Sequence, residues 1–401
     1  MDVLGYRAAE QADQRIHLPD YARGSIVNLL SSIQAALGVQ TSLYAPLSQL
    51  DPQRLARAQN LVLMVIDGLG YRYLEQQPEE AKLRRHVRAR LTSVFPATTA
   101  AAVTTFFTGG APQQHALTGW FTYFKEIGSV IAALPFRARY GGTSLQGAGV
   151  DAHALFDGSS LFERINAPAY IVLPQRIVDS DYTCAHDGGA ERRAYSSLPE
   201  YFERLLEILR ASGKRKYIYA YWPDFDSLAH HYGVDSPQVS AHFAELDAAF
   251  GEFFTAIEDS DTTVIVTADH GFIDSEPTSL IRLEDHPALA ETLVLPLCGE
   301  PRVAFCYVRP NKCKQFEGYV RGELAQYMWL YRSTELIEQG FFGYGAPHPR
   351  LRDRIGDYTL IMKGNYVIKD WLFGERPYKH IGVHGGVSEQ EMYVPLIVFE
   401  S

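Results

Sequence analysis

No uninterrupted apolar run in this 401-residue sequence approaches the roughly twenty residues needed to span a bilayer. Cysteine is scarce: Cys184, Cys298, Cys306 and Cys313 lie far apart with no CxxC pair. That argues against a disulfide framework or a thiolate zinc site and fits free thiols in a reducing compartment. Positive charge is in the minority, with 37 basic residues against 47 acidic ones and a net charge of −10. Broad attraction to nucleic acid or to anionic lipid is therefore not expected, and an anionic substrate needs locally supplied positive charge. Bound metal cations are one source of it. The N-terminal stretch MDVLGYRAAEQADQR lacks the basic start and apolar run of a secretory leader, so a cytoplasmic location is the default expectation. Internal repeats and low-complexity tracts are missing too.

What is present is ordinary globular material, 46% hydrophobic and 21% charged. Short apolar runs at residues 61–66, 217–221, 263–267 and 393–399 alternate with segments of helical periodicity, among them 198–212 and 240–258. This predicts an α/β protein with a mostly parallel central sheet and helices on both faces. Residues 279–379 differ: strand-like runs at 302–308 and 358–368 flank a helical pattern at 324–339, and Gly and Pro punctuate 343–347. An inserted α+β cap is expected there, between core segments 1–278 and 380–401.

Three of the apolar runs end in acids. VLMVIDG places Asp67, YIYAYWPDFD places Asp224 and Asp226, and VIVTADHG places Asp269 followed by His270. Strand carboxyl ends in an open α/β sheet share one rim, so these groups can converge although they are distant in sequence. Each alone has a plainer explanation: Asp67 as a turn, Asp226 and His230 as an i,i+4 helix pair, Asp269 as a cap, His384 of VHGG as a loop residue. Together they supply three carboxylates and three imidazoles, a donor set suited to zinc or manganese. Two divalent ions would exceed three carboxylates by one unit of charge, which can hold a phosphoryl group. The nucleophile candidates are Thr98 and Thr99 of SVFPATTAAAVTTFFTGG, at the start of an Ala-rich helix where free N–H groups favour an anion. An ordinary Thr N-cap is the alternative. Asp247 fits a helix brace, and the rings of Trp222, Tyr232 and Trp371 fit packing.

As an ordered set these motifs resemble the type I phosphodiesterase and nucleotide pyrophosphatase branch of the alkaline phosphatase superfamily. The FP-x-x-T motif of that family, nine residues before a TG, corresponds to Phe95, Pro96 and Thr99 ahead of Thr108 and Gly109. Its D-x-x-x-H-x-x-G corresponds to Asp226, His230 and Gly233, with Asp269, His270 and Gly271, then His384 and Gly385, completing it. The resemblance implies an alkaline-phosphatase-like core, Thr99 as the nucleophile, and two divalent ions, zinc first and manganese second. One ion would be held by Asp67, Asp269, His270 and Thr99, the other by Asp226, His230 and His384. It further implies hydrolysis of a phosphodiester or pyrophosphate bond in a small, nucleotide-like substrate through a phospho-threonine ester, without stable nucleic-acid or membrane partners. Phosphomonoester, phosphonate and phosphotransfer chemistry on the same scaffold are the alternatives, and a non-catalytic ligand-binding relative is an alternative of another class. A sulfatase is disfavoured by the threonine. One position departs from the pattern: Trp120 stands where the nucleotide pyrophosphatases carry a phosphate-binding Asn, with Tyr123 or Lys125 as candidate replacements.

Overall fold

The computed structural model describes residues 15–39, 42–211, 213–375 and 377–401. Most of the N-terminal stretch considered above (1–14) and the expected helix end at Ser212 lie outside them. Seven strands form the central sheet: β1 (Asn60–Ile66), β2 (Val87–Thr92), β3 (Ala169–Pro174), β4 (Glu191–Tyr195), β5 (Lys216–Trp222), β6 (Thr262–Thr267) and β7 (Tyr393–Glu400). Their order is β2-β7-β6-β1-β5-β3-β4. β6, β1, β5, β3 and β4 run parallel, whereas β7 pairs antiparallel with both β6 and β2. Every residue of β1 and β5 is buried, as expected of strands whose two faces are both covered.

Among the covering helices, α1 (Ile26–Ala36) packs against α2 (Thr99–Thr108), and α3 (Leu198–Arg210) packs against α5 (Pro237–Ala256). α4 (Asp224–Tyr232) follows β5 directly, so the acids after that strand sit on a first helical turn. Asp247 of α5 accepts the N–H groups of Lys82 and Leu83, which caps a short turn far from the strand-end acids in sequence.

A second, antiparallel sheet of seven strands draws four from residues 298–362 and three from residues 121–138. The expected helical stretch at 324–339 is only partly helical. Met328–Arg332 is a strand paired with Tyr358–Met362, and the α-helix is confined to Ser333–Glu338. Trp329 and Tyr331 favour the pleated surface, and pairing with a buried neighbour strand overrides the helical spacing. The run at 358–368 is two strands, Tyr358–Met362 and Val367–Lys369, separated by a turn through Gly364. No helix among the described residues is long and apolar enough to cross a membrane.

Candidate active site

β1, β5 and β6 end on the same rim, and the chain just beyond each supplies an acid. Asp67 follows β1 at a turn where Gly68 has φ 76° and packs so tightly that an added Cβ would lie 2.3 Å from the Phe272 ring. Asp269 follows β6 and is anchored through Oδ1, which accepts the N–H groups of Gly68 at 2.9 Å and His270 at 3.0 Å. Asp226 lies in the first turn of α4, one helical turn before His230. His384 follows a two-residue strand, Gly382–Val383, that pairs with Ile273–Asp274 beyond β6.

The six side chains form two groups, Asp67 with Asp269 and His270, and Asp226 with His230 and His384. In each group one donor atom per residue lies within 4.8 Å of the others. His270 Nε2 is 3.3 Å from both Asp67 Oδ1 and Asp269 Oδ2. Asp226 Oδ1 is 3.4 Å from His230 Nε2 and 3.8 Å from His384 Nε2. The ring protons are assigned by the partners: His230 Nδ1 faces the Gly382 carbonyl at 2.8 Å and His270 Nδ1 faces the Gly271 carbonyl at 3.1 Å. Carbonyls only accept, so each Nδ1 donates and each Nε2 turns a lone pair toward the carboxylates.

This makes the donor set fit divalent cations. Asp67 Oδ1, Asp226 Oδ1 and Asp269 Oδ2 are buried with no hydrogen-bond partner, although each lies beside an imidazole nitrogen. Lone pairs packed against lone pairs away from water are stable only around positive charge. Burial pushes the Asp67 carboxyl up to about 6 and those of Asp226 and Asp269 well above the carboxylate range. It pushes His230 down to about 3 and His384 well below the usual imidazole value. Neutral imidazoles and carboxylates that ionise only beside a cation are the state a metal requires. Tyr221 donates its hydroxyl to Asp67 Oδ2, leaving Oδ1 turned to the group.

The two threonines at the start of α2 have separate fates, and neither side chain caps the helix. Thr98 donates its hydroxyl to Glu300 Oε1 at 2.7 Å. Thr99 places Oγ1 3.2 Å from His270 Nε2, and since that nitrogen carries the lone pair the hydroxyl is the donor between them. Two clefts of ≈ 560 and ≈ 460 Å³ share Thr99, Trp120 and Asp226 in their walls. Trp120 is 39% exposed between them, and its backbone N–H donates to Glu300. Neither cleft is lined by Tyr123, packed on Tyr307, or by Lys125, paired with Asp353 at 3.0 Å. No motif pointed to Tyr221, Glu300 or Lys369 at the site: the first is one of several tyrosines on a buried strand, and the others come from the second sheet and its surroundings.

The profile of the type I phosphodiesterase / nucleotide pyrophosphatase family matches residues 61–386, which take in the second sheet, the central sheet apart from β7, and all six donors. This chain belongs to that family. It is a hydrolase of the phosphodiesterase and pyrophosphatase class, and the family works with divalent metals. No curated protein matches it in sequence. Among solved structures, murine ectonucleotide pyrophosphatase / phosphodiesterase 5 superposes with a TM-score of 0.64 at 16% identity, covering 84% of this chain and 87% of the murine one. The human counterpart gives 0.62 at 15% identity over 84% and 87%. Phosphonoacetate hydrolase from Sinorhizobium meliloti gives 0.59 at 18% identity over 85% and 90%. At these identities the likeness establishes the fold, which is alkaline-phosphatase-like.

Proposed function

We propose that this family member hydrolyses a phosphodiester or pyrophosphate bond in a small substrate, with Thr99 as the nucleophile. The observation that carries the reading is the Thr99 hydroxyl at the N-terminus of α2, 3.2 Å from His270 Nε2 and open to both clefts. Asp67, Asp269, His270 and Thr99 would hold one divalent ion, and Asp226, His230 and His384 a second. Zinc is the first choice and manganese the second, given oxygen and nitrogen donors without thiolate. When bound, such ions lower a hydroxyl's pKa and neutralise charge on a phosphoryl group.

The chain's own part can be written atom by atom. Thr99 Oγ1 attacks phosphorus, its proton leaves toward the acceptors around it, the Oγ–P bond forms, and the bond to the leaving alcohol or phosphate breaks. The leaving oxygen takes up a proton. The free N–H groups of the first turn of α2 face the same region and suit a phosphoryl oxygen. Water then cleaves the phospho-threonine ester from the side the leaving group vacated, so phosphorus inverts twice and keeps its configuration.

A nucleotide is one candidate substrate, since an inactive threonine-to-alanine form of the murine protein is described in complex with AMP. A second reading, a phosphonate, monoester or phosphotransfer reaction, is favoured by Trp120 in place of the usual Asn. Residues 279–379 as a cap, with core segments 1–278 and 380–401, belong to this proposal, as does a cytoplasmic location, supported by four free thiols. The test compares wild type with Thr99→Ala on a generic phosphodiester, a phosphomonoester and a phosphonate, with zinc, manganese or magnesium added. Loss of turnover in the variant supports the reading, and equal turnover removes Thr99 from the mechanism.

A further inference from the structure

The larger cleft has a charged wall opposite the donor set, and its pairing is uneven. Arg139 is buried and takes both neighbouring acids, reaching Asp370 Oδ1 at 2.6 Å and Glu375 Oε1 at 2.8 Å. Its remaining donors include a contact to the Leu297 carbonyl at 2.7 Å. The second oxygen of Asp370 accepts the Leu297 N–H at 2.9 Å. Glu300, the other acid on that side, is occupied by Thr98 at 2.7 Å and by the Trp120 N–H at 2.6 Å. Each acid therefore has its donors.

The cation among them does not have its acceptor. Lys369, the last residue of the strand Val367–Lys369, lines the cleft with Thr99 and is half-buried. Its Nζ lies 4.9 Å from the centre of the Phe121 ring, and among the described residues it makes no ion pair and no hydrogen bond. Burial lowers its pKa from the ordinary lysine value and the nearby Arg139 adds repulsion, while Glu375, Asp370 and Glu300 act in the opposite direction without reversing the shift. These three acids lie near enough to favour its charge, yet each is taken up by other donors, so a partly buried ammonium that no acceptor touches is free to meet an anion.

We propose that Lys369 forms an acidic-group subsite in the Thr99 cleft, selecting phosphorus substrates that carry a second anionic group, a carboxylate or a phosphate. This rests on the phosphoryl-transfer function above for the word substrate, but not for the binding itself. The phosphoryl group would occupy the donor-set end, and the second anion would meet the ammonium on the cap-side wall, next to Phe121. Aromatic and aliphatic surface around the ammonium would strengthen that contact by excluding water.

The test measures binding by calorimetry on the metal-loaded full chain, using phosphonoacetate and ethylphosphonate, which differ chiefly in the carboxylate. Wild type, Lys369→Met and Lys369→Arg are compared. The expected result is a wild-type preference for phosphonoacetate that falls about tenfold or more in Lys369→Met, the scale of one charge-assisted hydrogen bond. Lys369→Arg, which keeps the charge, should retain most of it. A wild type without preference, or a preference untouched in Lys369→Met, overturns the proposal. If the preference depends on Lys369 while wild type cleaves none of the phosphorus esters, the function falls and the subsite stands.

Discussion

Tyr221 shows how one hydroxyl can orient a candidate metal ligand. By donating to Asp67 Oδ2 it fixes the carboxylate so that Oδ1 faces His270, and both side chains are buried. Replacing it with Phe leaves an acceptor unsatisfied and the carboxylate free to rotate, so Tyr221→Phe is expected to weaken metal affinity by about 10–100-fold. Competition with a chelator measures this, and unchanged affinity removes Tyr221 from the support of the site. Thr99 is the other decisive residue. If its oxygen attacks phosphorus, Thr99→Ala should lower kcat/KM by at least about a thousandfold on the best phosphodiester.

At the scale of elements, the connections hold the donors more than the strands do. Gly68 turns the chain with φ 76° between Asp67 and the next helix, against the face of Phe272. Gly68→Ala is therefore expected to cost about 1–3 kcal/mol in urea denaturation, and wild-type stability would show that the turn tolerates a Cβ. The loop carrying His384 is tied down by Glu391, which accepts the Gly386 N–H at 2.7 Å and forms a two-pronged buried pair with Arg302 of the second sheet at 2.8 and 3.0 Å. Burial alone would raise the Glu391 pKa, but the Arg302 guanidinium and the surrounding donors hold it below the ordinary value of 4.5. Its folded-state pKa is depressed, so its contribution is complete above about 4.5 and is lost as pH falls through the lower, folded value. Glu391→Gln should cost about 3–5 kcal/mol at neutral pH, with the gap to wild type closing in strong acid. A gap that persists unchanged there contradicts the ion pair. The strand ends were legible because acids follow long apolar runs. The strand Met328–Arg332 was not, since its stability lies in pairing with a distant segment that local spacing does not encode.

For the whole molecule, chain order hides which regions cooperate. The second sheet takes strands from residues 121–138, between the nucleophile helix and the middle of the core, as well as from residues 298–362, and this brings Trp120 and Glu300 to one cleft, which Lys369 joins from a separate two-stranded sheet. Sequence patterning could place acids on a common rim because the parallel sheet dictates it. It could not bring Lys369 to Thr99, because Lys369 sits on that separate sheet with Leu280–Arg282 and reaches the cleft only through tertiary packing. Three buried carboxylates that lack counter-charge also make the folded molecule depend on cations. Chelator treatment should lower the thermal midpoint, with zinc or manganese restoring it, by mass action on the folded state. The central claim is that these donors cage two divalent ions beside the Thr99 hydroxyl. Anomalous X-ray scattering from crystals of the zinc-loaded protein tests it most directly. Two peaks are expected, one among Asp67, Asp269 and His270 and the other among Asp226, His230 and His384, both next to Thr99. Crystals with no peak in either group, or with zinc bound only elsewhere, would contradict it.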